Sequence, residues 1–348
     1  MSPALLRALT SAPITDPRSR RAAIRYGRTK ESRNPMNTQD SAVPAYTLNR
    51  TQAEHHRLRT QSENLRAHSS ALLAPIALPP GASAIDLGCG PGGILDLLAE
   101  KVGPDGRVVG VEIDGASVAR ARAFARERRL TNVEIMTADA RHTLLPGASF
   151  DLVHARLLLA NVPAPGQVVA EMARLVRPGG RVALLEPDIA LSACYPPHPG
   201  LEHLTELLVT AYRQEGADPH VGRSLPHLLA AAGLEKIATE AHAEICPPNH
   251  PQRVVILDLA RNMRAKILAR GLIGEPELDQ LDREARLHLD DPATLSLPVT
   301  YFLAWARRAS LTGDDAPNGP AISRSQTAAN QPQELTTSTI GQPPTTLR

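Results

Sequence analysis

The stretch Ala84-Ile85-Asp86-Leu87-Gly88-Cys89-Gly90-Pro91-Gly92-Gly93 constrains the fold more than any other part of the chain. A short apolar strand runs into Gly88, Gly90 and Gly93, and a helix-like run, Ile94 to Val102, follows at once. Glycines at this spacing let the chain turn sharply between strand and helix. They also let the backbone approach a ligand that any Cβ would push away. Asp86 stands two residues before the first glycine, and a second acid, Glu112, closes the next predicted strand. A glycine pattern of this kind is common to many dinucleotide-binding proteins, so the two acids are what sharpen it.

From there on strand and helix alternate, the pattern of a parallel doubly wound sheet. Thr51 and Glu54 form a Thr-x-x-Glu capping box that starts a helix reaching towards Leu73. Strands are predicted near 84–87, 108–112, 133–136, 150–156 and 181–185, with helices near 94–102, 116–129 and 165–176 between them. The arginine-rich 116–129 helix reads as a solvated face. After Asp188 the pattern changes: residues 189–223 hold Pro196, Pro197, Pro199, three histidines and two tyrosines, and predict a cap inserted between strand five and the end of the sheet. Helix 225–232 and strand 236–245 resume the core. Two polar helices, about 252–270 and 275–287, follow, and 299–305 is expected as a final edge strand with Pro298 tolerated beside it.

Composition narrows the classes. The chain has 348 residues, 42% hydrophobic and 21% charged, ordinary for a globular protein. A net charge of +2 gives no strong field towards nucleic acid or membrane. Arginine supplies 34 of the 38 basic residues, which suggests a GC-rich, bacterial genome. Cys89, Cys194 and Cys246 make no disulfide framework, no metal-ligand spacing is present, and no apolar run is long enough to span a bilayer. A reduced cytoplasmic setting is expected. Residues 1–40, with eight basic residues against three acids, are expected to be disordered. A transit peptide and a true start at Met36 are both open explanations for them. Residues 312–348, rich in Thr, Pro, Gln and Asn, read as a solvated tail. The intervening 41–311 form one domain, with a lid helix in 46–75.

The motifs resemble, in order and spacing, the class I S-adenosylmethionine-dependent methyltransferases. The 84–93 loop resembles that family's first motif, and Val108-Val109-Gly110-Val111-Glu112-Ile113-Asp114 its second strand. Thr137-Ala138-Asp139-Ala140 resembles its adenine-contacting loop, Phe150–Arg156 its fourth strand, and Arg177-Pro178-Gly179-Gly180 its turn into strand five. The resemblance spans about 46–308. Tyr46–Leu58 and the string Gly216, Asp218, Pro219, Gly222, Arg223 resemble the lid and cap of a bacterial small-molecule subgroup acting on quinones, lipids and natural-product intermediates. That subgroup reads Arg-x-x-Leu-x-His after strand four, where this chain has Arg156, Leu159 and Asn161.

The resemblance implies a Rossmann-like, seven-stranded, mostly parallel sheet with an antiparallel edge strand, and S-adenosylmethionine as cofactor. Gly88 and Gly90 would run under its methionine part, with Asp86 holding the loop or reaching the ammonium. Glu112 would accept from both ribose hydroxyls, since a carboxylate offers two acceptor oxygens to a vicinal diol. Asp139 would accept from the adenine amino group and the Ala140 amide would donate to the ring. Arg156 would meet the amino-acid end. Substrate-side candidates at the expected mouth are Glu186, Asp188, Tyr195, His198 and His203. The expected reaction is methyl transfer to oxygen, nitrogen or carbon of a small molecule, by a monomer or homodimer. Three alternatives compete with it. A nicotinamide-dependent oxidoreductase is opposed by Asp86 and the Asp139 loop. A nucleic-acid methyltransferase lacks the base-gripping loop after strand four, and aromatic residues are only 3%. A non-catalytic protein that binds the cofactor as a partner is compatible with every motif.

Overall fold

The computed structural model describes residues 52–310, which fall within one compact unit. The expectations for 1–40 and 312–348, and the Thr51–Glu54 capping box, lie outside the described residues. Two helices lead in, α1 (Gln52–Asn64) and α2 (Arg66–Leu73). The single helix expected towards Leu73 is broken at Leu65, where ψ is 9°. Leu65 is itself fully buried, and the break turns His68, Ser69, Leu72 and Leu73 of α2 into the core.

The α/β alternation then runs as read. β1 (Ser83–Leu87) leads to α3 (Leu95–Val102), β2 (Arg107–Glu112) to α4 (Gly115–Glu127), and β3 (Val133–Thr137) to β4 (Phe150–Arg156). α3 buries Leu95, Leu98, Ala99 and Val102, one stripe at helical spacing, with Asp96 in its first turn and Lys101 in its last, each matched to the helix dipole. Asp114 caps α4 by accepting from Ser117 N at 2.8 Å. Successive residues of β1 face opposite sides: Ala84 joins one core cluster, Ile85 and Leu87 the other. Both sheet faces are covered, which is why β1, β2 and β4 are buried along almost their whole length instead of alternating with solvent.

α5 (Pro165–Leu175) starts on a proline, a position where the missing N–H costs nothing. β5 (Val176–Asp188) follows directly and is longer than the expected 181–185. It takes in the Arg177-Pro178-Gly179-Gly180 turn as an irregularity, with the register against β4 shifting between Phe150 and Leu152. Next come β6 (Ala193–Tyr195), α6 (Pro199–Gln214), α7 (Val221–Ala231), β7 (Glu235–Ala243), α8 (Val255–Ala269), α9 (Glu275–Asp290), β8 (Leu295–Leu297) and β9 (Thr300–Arg307).

The seven-stranded sheet has the order β3-β2-β1-β4-β5-β9-β7. It is parallel except for β9, which runs antiparallel to β5 and β7. The sequence places this last strand at the edge; it lies one place in, and β7 is the outer strand. Burial explains the exchange. Tyr301, Leu303, Ala304 and Ala306 of β9 are buried, whereas most of β7, including Lys236, Thr239 and Glu240, is exposed and suits an edge.

The cap is also larger than 189–223. α6 packs against α8 and α9, and β6 pairs antiparallel with β8. α8 is not simply polar: Ile256, Leu259, Ala260, Met263 and Ile267 form a buried stripe. Buried Arg253 ties the second half of the cap together. Its guanidinium donates to the carbonyls of Leu289 (2.8 Å), Cys246 (2.9 Å), Asp291 (3.1 Å) and Thr294 (2.8 Å).

Candidate functional site

The carboxyl ends of β1, β2, β3 and β4 meet at one edge of the sheet, where ligands of open α/β sheets bind. A cleft of about 1190 Å³, measured out to its open mouth, lies there. The glycine loop forms its floor. Gly88 has φ +71° and a Cβ on it would meet the Leu158 side chain at 2.8 Å. The amides of Gly88 and Cys89 both donate to Val111 O, which locks the loop onto β2. Gly90, at φ +54°, faces open space in the cleft, so a ligand can approach its backbone.

Glu112 stands at the end of β2 on the cleft wall. Its Oε2 accepts from Gly90 N at 3.0 Å, and Oε1 accepts from Ile113 N at 2.8 Å and Asp114 N at 2.9 Å. Burial raises its pKa, while the three amides pull the other way. A carboxylate has about four lone-pair sites, so acceptor capacity remains on the cleft side. Asp139 and Ala140 line the same wall. The Asp139 carboxylate is already gripped by Arg141, through Nη2 at 2.7 Å and Nε at 3.1 Å, and the pair holds its pKa below the usual carboxylate range. Sequence reading missed Arg141. An arginine two residues from an acid in a loop carries no pattern that distinguishes it.

Asp86 is buried beneath the loop and accepts from His154 Nδ1 at 2.7 Å. A carboxylate only accepts, so Nδ1 carries the proton. His154 was also missed: it lies inside an apolar strand, and only the β1–β4 register, Asp86 opposite His154, reveals it. Arg156 lines the cleft and donates to Ser69 Oγ at 2.9 Å and Ser62 Oγ at 3.0 Å, while burial lowers its pKa. Ser62 in turn donates to Gly93 O at 2.8 Å. One serine of α1 thus joins the lid to both the glycine loop and Arg156. Burial, with Asp86 and Glu112 nearby, pushes the Cys89 thiol well up, so it packs as an inert side chain.

A second cavity, about 520 Å³, adjoins the first. Leu58, Gln61 and Leu157 line both. Its other walls come from α6, α8 and β9, with Asn161 and Tyr212 hydrogen-bonded at 3.4 Å.

None of the five substrate-side candidates lines either cavity. Glu186 is fully buried and accepts from the amides of Leu158 (2.9 Å), Leu159 (2.8 Å) and Ala160 (3.2 Å), clamping the turn after β4. Burial pushes its pKa up to about 7. Asp188 is fully buried and pairs with Arg223 and with His220 Nδ1, at 3.2 Å in the second case. The string from Gly216 to Arg223 therefore anchors the cap to the end of β5. Tyr195 is 70% exposed on β6. His198 caps α6, its Nδ1 accepting from Leu201 N at 3.1 Å, and stacks on His288 at 4.7 Å. His203 is exposed on α6. In each case the side chain has a structural partner or points to solvent, which linear spacing does not register.

A family described as a methyltransferase domain matches residues 78–217. The nocamycin O-methyltransferase of Saccharothrix syringae is 39% identical over 128 residues, 37% of this chain and 46% of that protein. The chain spans about half the length, or less, of most of the curated relatives it matches. The trans-aconitate 2-methyltransferase of Methylobacterium radiotolerans is matched more fully, 30% identical over 251 residues, 70% of this chain and 88% of that protein. Among solved structures, a Haemonchus contortus phosphoethanolamine N-methyltransferase 2, crystallised with S-adenosylhomocysteine, shares the fold. Its TM-score is 0.51 at 15% identity, covering 76% of this chain and 59% of that one. The glycine loop, the acid closing β2 and the strand order agree with these similarities, and the chain belongs to the class I S-adenosylmethionine-dependent methyltransferases.

Proposed function

We propose that the chain transfers a methyl group from S-adenosylmethionine to a small-molecule acceptor bound in the second cavity. One observation carries the reading: an open cleft with an acid on its wall and glycines on its floor shares Leu58, Gln61 and Leu157 with a mostly apolar cavity under the cap. The residues fit such a cofactor. Gly90 leaves room against the loop backbone, and Glu112 keeps acceptor capacity for a diol. In the bound state the cofactor supplies an activated methyl group on a sulfonium.

This chain's residues bind, orient and exclude water. Glu112 would hold the ribose hydroxyls, and Asp139 with the Ala140 amide the adenine. Asp86, kept in place by His154, would face the ammonium, while Arg156 and Ser62 close the lid over the amino-acid end. Orientation of acceptor and methyl within one pocket can lower the barrier by on the order of 7–11 kcal/mol at best. Three free cysteines agree with a reducing, cytoplasmic setting.

Isothermal titration with S-adenosylmethionine, S-adenosylhomocysteine and NAD tests the cofactor side. Binding of the first two and not of NAD is expected. Binding of NAD, or of none, overturns the proposal. If both sulfur compounds bind but no acceptor in a broad screen is methylated, a non-catalytic partner role replaces it.

A further inference from the structure

We infer that the carboxamide of Gln61 selects the acceptor: its Oε1 accepts the hydrogen of a neutral O–H or N–H group on an otherwise apolar molecule, and turns that group towards the cofactor cleft. This rests on the reading of the first cleft as the cofactor site.

Gln61 stands where the two cavities meet. Leu58, Gln61 and Leu157 line both, and among the described residues Gln61 is the one polar side chain the two cavities share. Local structure puts it there. Leu58, Gln61 and Ser62 lie on one face of α1, at i, i+3 and i+4. That face is pinned beside Gln61. Ser62 donates to Gly93 O at 2.8 Å and accepts from Arg156 at 3.0 Å, and fully buried Leu65 donates its amide to Gln61 O at 3.0 Å. The backbone that carries the carboxamide is therefore held before any ligand arrives, which lowers the cost of ordering the contact.

The neighbouring polar groups are already committed. In the first cleft Glu112 is held by amides, Asp86 by His154 and Asp139 by Arg141. In the second cavity Asn161 donates from Nδ2 to Leu157 O at 2.9 Å, and its Oδ1 accepts from the Tyr212 hydroxyl at 3.4 Å. The charge of Arg57 acts on Asp258. Tyr301 lines the second cavity and not the first. The Gln61 carboxamide is half-buried and has no hydrogen-bond partner among the described residues.

Chemistry then decides what it meets. A polar group brought between Leu58 and Leu157 gives up water and, without Gln61, receives nothing in return. The second cavity has no carboxylate among its described lining residues, so an ammonium ion finds no counter-ion there, whereas a neutral O–H or N–H group needs none. A carboxamide offers one acceptor oxygen and two N–H donors. A donor aimed at the reacting atom would occupy the lone pair that has to attack. An oxygen that accepts the atom's hydrogen leaves that lone pair free. In the transfer the lone pair forms the bond to the methyl carbon as the carbon–sulfur bond breaks. The electron pair of the broken bond stays on sulfur, and the acceptor's proton passes to water at the mouth of the first cleft. Gln61 neither gains nor loses a proton.

The full chain is saturated with S-adenosylhomocysteine and titrated with a naphthol and the corresponding fluoronaphthalene. The two have nearly the same shape, and only the naphthol carries a hydroxyl hydrogen. Gln61→Leu is expected to weaken the naphthol by about fivefold or more, while the fluoronaphthalene and S-adenosylhomocysteine stay within about twofold and the melting profile is unchanged. Gln61→Glu keeps acceptor oxygens and loses the N–H donors, and is expected to restore most of the naphthol affinity. Equal weakening of both naphthalenes by Gln61→Leu would show that Gln61 only packs. An equal loss in Gln61→Glu would show that Nε2, not Oε1, makes the contact. Either result overturns the inference, as does failure of the unaltered chain to bind the naphthol. Loss of S-adenosylhomocysteine affinity in Gln61→Leu, with the naphthol unaffected, assigns the side chain to the cofactor and overturns it too. Failure of the unaltered chain to bind S-adenosylhomocysteine overturns the cofactor reading and this inference together, so the two failures are distinguishable.

Discussion

The cofactor cleft takes its polar groups from the ends of four neighbouring parallel strands, each a few residues from a glycine turn or a helix start. The second cavity takes its lining from α1, the turn after β4, α6, α8 and β9, segments up to about 240 residues apart in the chain. The first is built by local spacing and backbone amides. The second is built by packing, and exists only once both halves of the cap have closed on the sheet. Two regions made so differently should respond differently to the same kind of damage.

The largest expected contrast is Arg253→Met. It leaves four carbonyls without that donor, three of them in buried contacts, and a buried unsatisfied polar group costs roughly 1–3 kcal/mol. A loss of at least ~3 kcal/mol is expected in denaturant unfolding, with cap amides of α8 and α9 losing hydrogen-exchange protection while β1 and β2 keep theirs. Equal loss across the sheet would erase the distinction between the regions.

Glu186 sits between the two, since the turn it clamps borders both cavities. Its folded pKa, about 7, is raised above that of the unfolded chain, so the folded state holds the proton more tightly. Stability should therefore fall as pH rises from the unfolded glutamate value of about 4.3 towards about 7, by up to ~3 kcal/mol, and level off above. Glu186→Gln should flatten that slope. An unchanged pH dependence in Glu186→Gln shows that the clamp does not titrate there. Glu171 has the opposite sign: Arg174 and Thr143 hold its pKa down to about 2, so its contribution is lost as pH falls through that range. The two buried glutamates differ because one has a cation beside it and the other has only amides.

Glu112→Ala acts on the cofactor side alone. Losing charge-assisted hydrogen bonds should weaken S-adenosylmethionine by about 1–3 kcal/mol in calorimetry and leave the cap's exchange protection intact. Unchanged affinity removes Glu112 from the ribose assignment. The smallest effect is expected for Arg141→Ala. It frees the Asp139 carboxylate of a partly exposed competitor, so cofactor affinity should rise, by less than about 1 kcal/mol. A clear fall instead would mean that Arg141 itself touches the ligand.

Legibility divided along the same line as the two regions. Gly88, Gly90, Glu112, Asp139 and Arg156 were readable because motif spacing maps directly onto strand ends, and all of them line one cleft. Glu186 and Asp188 were readable as acids after strand five, but not as buried clamps. That role depends on amides 26–28 residues away for one and on Arg223, 35 residues on, for the other. The order of the last two strands was unreadable for a similar reason. Both 236–245 and 299–305 have strand character, and only the competition for a doubly buried place between β5 and the solvent puts β9 inside β7.

Sequence alone determined the parallel α/β sheet, the glycine-floored cleft and the acid that closes β2, because these follow from periodicity and turn chemistry within a few residues. Tertiary structure decided the His154 partner of Asp86, the hold of Arg141 on Asp139, the structural use of the acids after β5, and the cavity around Tyr301. Each of those depends on which distant groups are brought within hydrogen-bonding or packing distance. That is settled by burying apolar surface over the whole domain, and no local pattern encodes it.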